Sequence, residues 1–371
     1  MMSQIIALTK KFISIPSIKG NSRALKEVLD AALAEVKGYC VDFFEKEGIP
    51  SALIYNSKAR RTRFKIILNA HLDVVEGKDK QFTPFEKQGK LYGRGAYDMK
   101  TAAAAEIILF KRIAKKLNYP IALQLVTDEE TGSNGTKFQV EKGVKTDFVI
   151  AGEPTDLNIN FKAKGTIWAK VKFFGKSAHA AYLWQGRNPI WNLKRFLDSI
   201  QILFPLPAKK AWRTTVNIAK VETSNLNMNK VPNNCEVSLD IRYVPVGQNR
   251  FSSMKNANFY IKKLKEVLPA NAKLELMLVR TPYSIKKEDP YIGTLQEASK
   301  KITGKKRRLV GEPYGSDIRY FIEDGSRGIT FGPVGGAMHS ENEWVDIKSL
   351  DQYCKILESF LLFAQKAAFT T

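Results

Sequence analysis

Two glutamates stand side by side at positions 129 and 130, in the stretch LQLVTDEETGSNG just past an apolar run. Adjacent carboxylates repel each other, and a turn that carries Gly132 and Gly135 has no structural use for both. Other groups that can bind a metal or move a proton also stand beside short apolar segments. They are His71 in NAHLDVVEG, Asp98 in YGRGAYDMK, Glu153 in AGEPT and His339 in PVGGAMHSENEW. The chain has only three histidines, and two of them belong to this set. Imidazole and carboxylate together are what zinc accepts, and a carboxylate shared between two ions suits a two-metal hydrolytic site.

Residues so far apart in sequence need a scaffold that brings them together. The runs ALIY (52–55), KIILNA (65–70), IALQLV (121–126), FVIA (148–151) and GITFGP (328–333) read as buried strands. Three helices are expected among them. One is NSRALKEVLDAALAEV (21–36), capped by Asn21 or Ser22; the second is MKTAAAAEIILFKRIAKKL (99–117), capped by Asp98; the third is DIKSLDQYCKILESFLLFAQKA (346–367). Strands alternating with helices predict an α/β sheet covered on both faces. Four of its strands deliver a His or Glu just past their C-terminal ends, the edge at which open α/β sheets form their sites.

The middle of the chain has a different pattern. TIWAKVKF (166–173), TVNIAKV (215–221), CEVSLDIRY (235–243) and KLELMLV (273–279) alternate apolar and polar, with helices expected at 188–203 and about 250–268. The order β-α-β-β-α-β is ferredoxin-like. The expected division is therefore an α/β domain made of 1–164 and 283–371, interrupted by an α+β domain at 165–282.

Composition narrows the classes. No apolar run in the 371 residues is long enough to span a bilayer, and MMSQIIALTKKFISIPS has no signal-peptide pattern. Three widely spaced cysteines, Cys40, Cys235 and Cys354, argue against a disulfide framework or thiolate zinc site and suit a reducing cytoplasm. The net charge is +22, with basic clusters at KARRTRFK and GKKRRL. Neither falls in a known nucleic-acid-binding motif, so a solvated basic surface is preferred to nucleic-acid binding.

HLDVV, GKLYGRGAYDMK, TDEETGSNGT, GEPT, GKSAHAA, VPNNCEVSLDIR, GSDIRYF and MHSENEW, taken in order, resemble the signature segments of the di-zinc peptidase and deacylase family. That family includes acetylornithine deacetylase, succinyl-diaminopimelate desuccinylase, aminoacylase and glutamate carboxypeptidases. The resemblance implies a zinc-peptidase-like α/β catalytic domain with an inserted ferredoxin-like lid that dimerises. It implies two zinc ions, exchangeable for cobalt. His71 and Glu153 would hold one, Glu130 and His339 the other, with Asp98 bridging. Asp73 would support His71, and the Asp98–Met99 peptide would be cis. Glu129 becomes the general base and Glu130 a ligand, so the adjacent glutamates divide two jobs. His179 would donate to the oxyanion, and Asn229, Arg242 and Arg319 would contact substrate. The expected activity is hydrolysis of the amide of a small N-acyl amino acid in a cytoplasmic homodimer. The alternatives are a dipeptidase or carboxypeptidase on the same metals, or, remotely, a binding protein on a dead hydrolase fold. Gly335 and Gly315 stand where desuccinylases carry asparagine and threonine, and HSENEWV is closer to the acetylornithine deacetylase style.

Overall fold

The computed structural model describes residues 1–132, 134–209, 211–247 and 253–365. Residues 250–252 of the expected second inserted helix, and residues 366–371 at the end of the chain, lie outside them. The chain divides into two compact units. The first comprises Met1–Phe161, Ile285–Val310 and Ser316–Thr371, the second Lys162–Ser284 and Gly311–Gly315.

The first unit is built on a mixed sheet. Its strands run in the order Cys40–Lys46, Ile49–Tyr55, Ile121–Val126, Arg63–His71, Lys145–Ala151, Arg327–Thr330 and Ile159–Ala163. The four in the centre, from Ile121–Val126 to Arg327–Thr330, are mutually parallel. Their register keeps the C-terminal ends nearly level: His71 pairs with Val126, Asn69 with Ala151, and Ala151 with Thr330. These are the four strands from which His71, Glu129 and Glu130, Glu153 and His339 emerge. All six residues of Ile121–Val126 are buried, as an unbroken apolar run predicts for a strand covered on both faces.

Helix Lys100–Ile113 is buried along nearly its whole length, and its four consecutive alanines allow close packing. Helix Ile347–Phe363 buries Leu350, Tyr353, Ile356, Leu357, Phe360 and Leu361 in the same core. Asn21 caps helix Ser22–Leu33 by accepting from the Ala24 N–H at 3.2 Å. The expected cap by Asp98 is not seen. The cap position is Met99, without a side-chain bond, because the Asp98 carboxylate is held by two histidines instead. The strand expected over 328–333 ends at Thr330, where Gly332 turns against the carbonyl oxygens of Gly152 and Glu153. Helices Met2–Ile13 and Pro290–Thr303 were not expected from periodicity. No helix among the described residues is long and apolar enough to cross a membrane.

The second unit contains an antiparallel sheet in the order Thr215–Glu222, Asn234–Tyr243, Gly165–Phe174, Ala272–Arg280. With helices Ile190–Leu203 and Met254–Glu266 this is the ferredoxin-like arrangement. Val237, Leu239 and Ile241 face the helices, packing with Phe196, Ile200, Ala257 and Leu264. The opposite sheet face carries ion pairs, Lys170 with Glu236 at 2.6 Å and Lys172 with Glu275 at 2.9 Å.

Gly165 opens this sheet against the ring of Tyr243. A Cβ there would come within 2.3 Å of Tyr243 Cζ and 2.8 Å of the Arg280 carbonyl oxygen. Gly165→Ala is therefore expected to destabilise the second unit by about 1–3 kcal/mol through overpacking. Denaturant unfolding checks this, as a transition moved to lower denaturant.

Candidate metal centre

His71 is the last residue of its strand. Its Nδ1 faces the Asp73 carbonyl oxygen at 3.0 Å and Asp73 Oδ1 at 3.5 Å, which turns Nε2 toward Asp98 Oδ1 at 3.1 Å. The other oxygen of Asp98 lies 3.3 Å from His339 Nε2, and that same nitrogen is 3.0 Å from Glu130 Oε1. One carboxylate thus has an imidazole on each oxygen. His71, Asp98 and Glu130 offer ligand atoms that all lie within 4.8 Å of one another. The Asp98–Met99 peptide bond is cis.

Asp73 does more than orient His71. Its two oxygens accept the backbone N–H groups of Glu129 at 3.1 Å and Glu130 at 3.0 Å. The turn that follows strand 121–126 is thereby fixed to the turn that follows strand 63–71. Asp128 fastens the next step of that turn, accepting from the Asn134 and Gly135 N–H groups. Burial, with the carboxylates of Asp317 and Asp73 nearby, raises the Asp128 pKa to about 7.

Behind Asp98 lies a pair that the spacing of the candidate ligands does not reveal. Glu343 Oε1 accepts the N–H groups of Tyr97 and Asp98 at 2.9 and 3.0 Å, while its Oε2 meets Arg94 Nη1 at 2.7 Å. Arg94 also donates to the His339 carbonyl at 3.4 Å, and Gln81 to that of Ser340 at 3.0 Å. Lys100 is wholly buried and donates to the carbonyls of Phe12 and Ile15 at 2.7 and 2.8 Å. Burial brings its pKa down to about 7. Arg94, Lys100 and Glu343 sit inside the segments YGRGAYDMK and HSENEW. A charged residue next to a candidate ligand in a glycine-rich segment was the available signal.

The electrostatics favour a cation. Burial alone would lower the His71 pKa, but Asp73 and Asp98 outweigh it and raise it well above the usual imidazole value. Asp98 and Glu130 push His339 up to about 10. Burial, reinforced by Asp98, raises Glu130 and carries Glu153 well above the usual carboxylate range. Carboxylates held out of water with like charges as neighbours are stabilised by positive charge placed among them. Two imidazoles and three carboxylates are also the ligand types of a zinc-like ion. The residues fit a divalent metal.

The remaining candidates are distributed as follows. His179 and Asn229 lie on adjacent segments of the second unit, where the Ala180 N–H donates to the Asn229 carbonyl at 2.9 Å. His179 is exposed and its ring lies 5.6 Å from that of Tyr182. Arg242 presents its fork to Asp240, with two bonds of 2.8 Å, and a third donor to Thr166 Oγ1 at 3.2 Å. Arg319 belongs to the first unit, is buried, and donates through Nε to the Ser316 carbonyl at 3.2 Å.

Residues 67–362 match the family model described as peptidase family M20/M25/M40. The chain is 30% identical to a succinyl-diaminopimelate desuccinylase of Pelagibacter ubique over 96% of its own length and 97% of the relative's. It is 26% identical to a protein of the same name from Nitratiruptor over 92% of this chain and 94% of the other. Among solved structures, a Staphylococcus aureus tripeptidase superposes with a TM-score of 0.81 at 20% identity, covering 99% of both chains. A metallo-carboxypeptidase of Sulfolobus solfataricus gives 0.82 at 17%, covering 98% of this chain and 100% of that one. At such identities these two likenesses establish a shared fold.

The buried pair and an exposed neighbour make a direct comparison. Removing Glu343 strands the buried Arg94 guanidinium and frees two N–H groups, so Glu343→Ala should cost about 3–5 kcal/mol of stability. Glu341 pairs with Lys78 and Lys80 on the surface. Glu341→Ala should leave unfolding essentially unchanged, because exposed pairs contribute little. Parallel thermal and denaturant melts of the two variants check the contrast.

Proposed function

We propose a function from one premise: the chain belongs to peptidase family M20/M25/M40 and is a metal-dependent hydrolase. Its substrate is a small N-acyl amino acid, from which it removes the acyl group by hydrolysing the amide. The observation that carries this is the likeness to succinyl-diaminopimelate desuccinylases along almost the whole chain, at 26–30% identity in four relatives. The peptidase neighbours are at or below 20% identity and support the fold without favouring a peptide substrate.

His71, Glu153 and the bridging Asp98 would hold one zinc ion, and Glu130, His339 and Asp98 a second, with cobalt as a substitute. When bound, such ions acidify a water and polarise a carbonyl. Glu129 takes the proton of the attacking water and returns it to the leaving amine. Asp73 supports both glutamates by gripping their backbone N–H groups, which holds in place the turn that carries them. Arg242, Arg319 and Asn229 receive the polar groups of the substrate. Guanidinium suits a carboxylate, and Arg242 would exchange its bond to Asp240 for one to substrate. The three free cysteines are consistent with a reducing cytoplasm.

The second unit, taken as the inserted lid of 165–282, supplies His179 as a donor to the oxygen that gains charge. We assign it to the neighbouring subunit of a homodimer formed through this unit, following the family resemblance.

Two experiments test the reading. A hydrolysis screen of N-succinyl and N-acetyl amino acids alongside dipeptides, with zinc or cobalt added, should give the highest kcat/KM on an N-acyl amino acid. A clear preference for dipeptides would make the chain a dipeptidase instead. In the second, Glu129→Gln and His179→Ala should each lower the rate by on the order of a hundredfold or more while retaining metal. Mixed dimers, prepared by co-refolding, should recover activity, since one site regains both groups. Verified heterodimers as inactive as their parents would show that His179 does not act across subunits.

A further inference from the structure

Three loops approach one another beside the candidate ligands, and one oxygen atom of the second touches the other two. Asp156 Oδ1 accepts from the Tyr97 hydroxyl at 2.7 Å and from the Gly335 N–H at 3.3 Å. Tyr97 immediately precedes Asp98. Asp156 lies three residues after Glu153, and Gly335 four residues before His339. We propose that Asp156 is a positioning residue that locks together the loops carrying Asp98, Glu153 and His339. The inference rests on the metal-ligand reading given above.

The surrounding geometry fits a clamp rather than an incidental contact. Gly335 is pressed against the Tyr97 ring so closely that a Cβ would come within 2.3 Å of Tyr97 Cδ2. The turn after Glu153 is joined to the start of the His339 loop by two further bonds. Leu157 N–H donates to the Gly332 carbonyl at 2.8 Å, and Gly332 N–H to Thr155 Oγ1 at 2.9 Å. Both loops contain non-glycine residues with left-handed backbone, Asp156 and Leu157 at φ 54° and 59°, Ala337 and His339 at 56° and 61°. Such conformations are unfavourable for L-residues and persist where neighbouring structure holds them. Aspartate is among the residues that adopt them most readily, and here its side chain serves both loops at once. The clamp therefore fixes His339, whose own backbone is strained, relative to Asp98 and Glu153.

The role predicts a dependence on the accepting oxygen and not on the charge. Cobalt binding to metal-stripped protein, followed by calorimetry and by the visible absorption of the bound ion, reads the geometry of the ligands without turnover. Asp156→Ala should weaken cobalt binding by about 10- to 100-fold, the usual cost of losing support behind a ligand, and should change the absorption bands. Asp156→Asn keeps an oxygen that accepts both bonds and should restore affinity and spectrum to near wild type. Tyr97→Phe, which removes one of the two bonds, should fall between. If Asp156→Ala binds cobalt as wild type does with an unchanged spectrum, the clamp is wrong. It is equally wrong if Asp156→Asn is as weak as Asp156→Ala. Should Asp156→Ala fail to fold, Tyr97→Phe decides: weakened binding supports the clamp and wild-type binding overturns it. Wild-type protein that takes up no cobalt would instead overturn the metal reading itself.

Discussion

Asp98 is the meeting point of this site, because two histidines far apart in sequence, one ending a strand and one in a loop, reach opposite oxygens of its carboxylate. A carboxylate in that position must be held by something other than its two partners, or it would follow whichever moves. The holding comes from its own backbone: the Asp98 N–H is fixed by Glu343, and Glu343 by the buried Arg94. Burying an ion pair gives little net stability once desolvation is counted, whereas losing one member is costly. The pair's value here is in setting position. Its charges lie directly behind the carboxylate that faces the two histidines, and both members are nearly inaccessible to water.

The same logic explains the adjacent glutamates. Repulsion between neighbouring carboxylates would ordinarily favour a loose, solvated turn. Asp73 adds a third negative charge and yet tightens the turn, because it receives the two N–H dipoles rather than the two side chains. Backbone donors compensate one anion, and a cation among the ligands would compensate the others.

Much of the fold was readable from apolar periodicity. Runs such as IALQLV and alternation such as CEVSLDIRY correspond to a wholly buried strand and a half-covered one. The strand ends that lead to the candidate ligands were readable for the same reason, since each candidate follows a buried apolar run within a short loop or stands at its end. What periodicity cannot report is contact between residues far apart in the chain. Arg94 and Glu343 are separated by 249 positions, and either alone reads as an ordinary surface charge. The capping role expected of Asp98 was a local inference, overridden by partners 27 and 241 positions away. Helix Pro290–Thr303 has its signals in plain view, Asp289 capping Tyr291, Pro290 in the first turn and Gly304 left-handed at the end.

The long separation between Asp98 and Glu343 also has a temporal meaning. A ribosome adds roughly 5–20 residues each second, so 245 residues of synthesis take on the order of 12–50 s. From residue 153 until residue 339 the nascent chain carries His71, Asp98, Glu130 and Glu153, but neither His339 nor the anchor behind Asp98. The acid-rich half of the pocket therefore exists first as an incomplete cradle. Closing it waits for the segment that carries His339 and Glu343, the residues that meet Asp98 from the far side of the sequence.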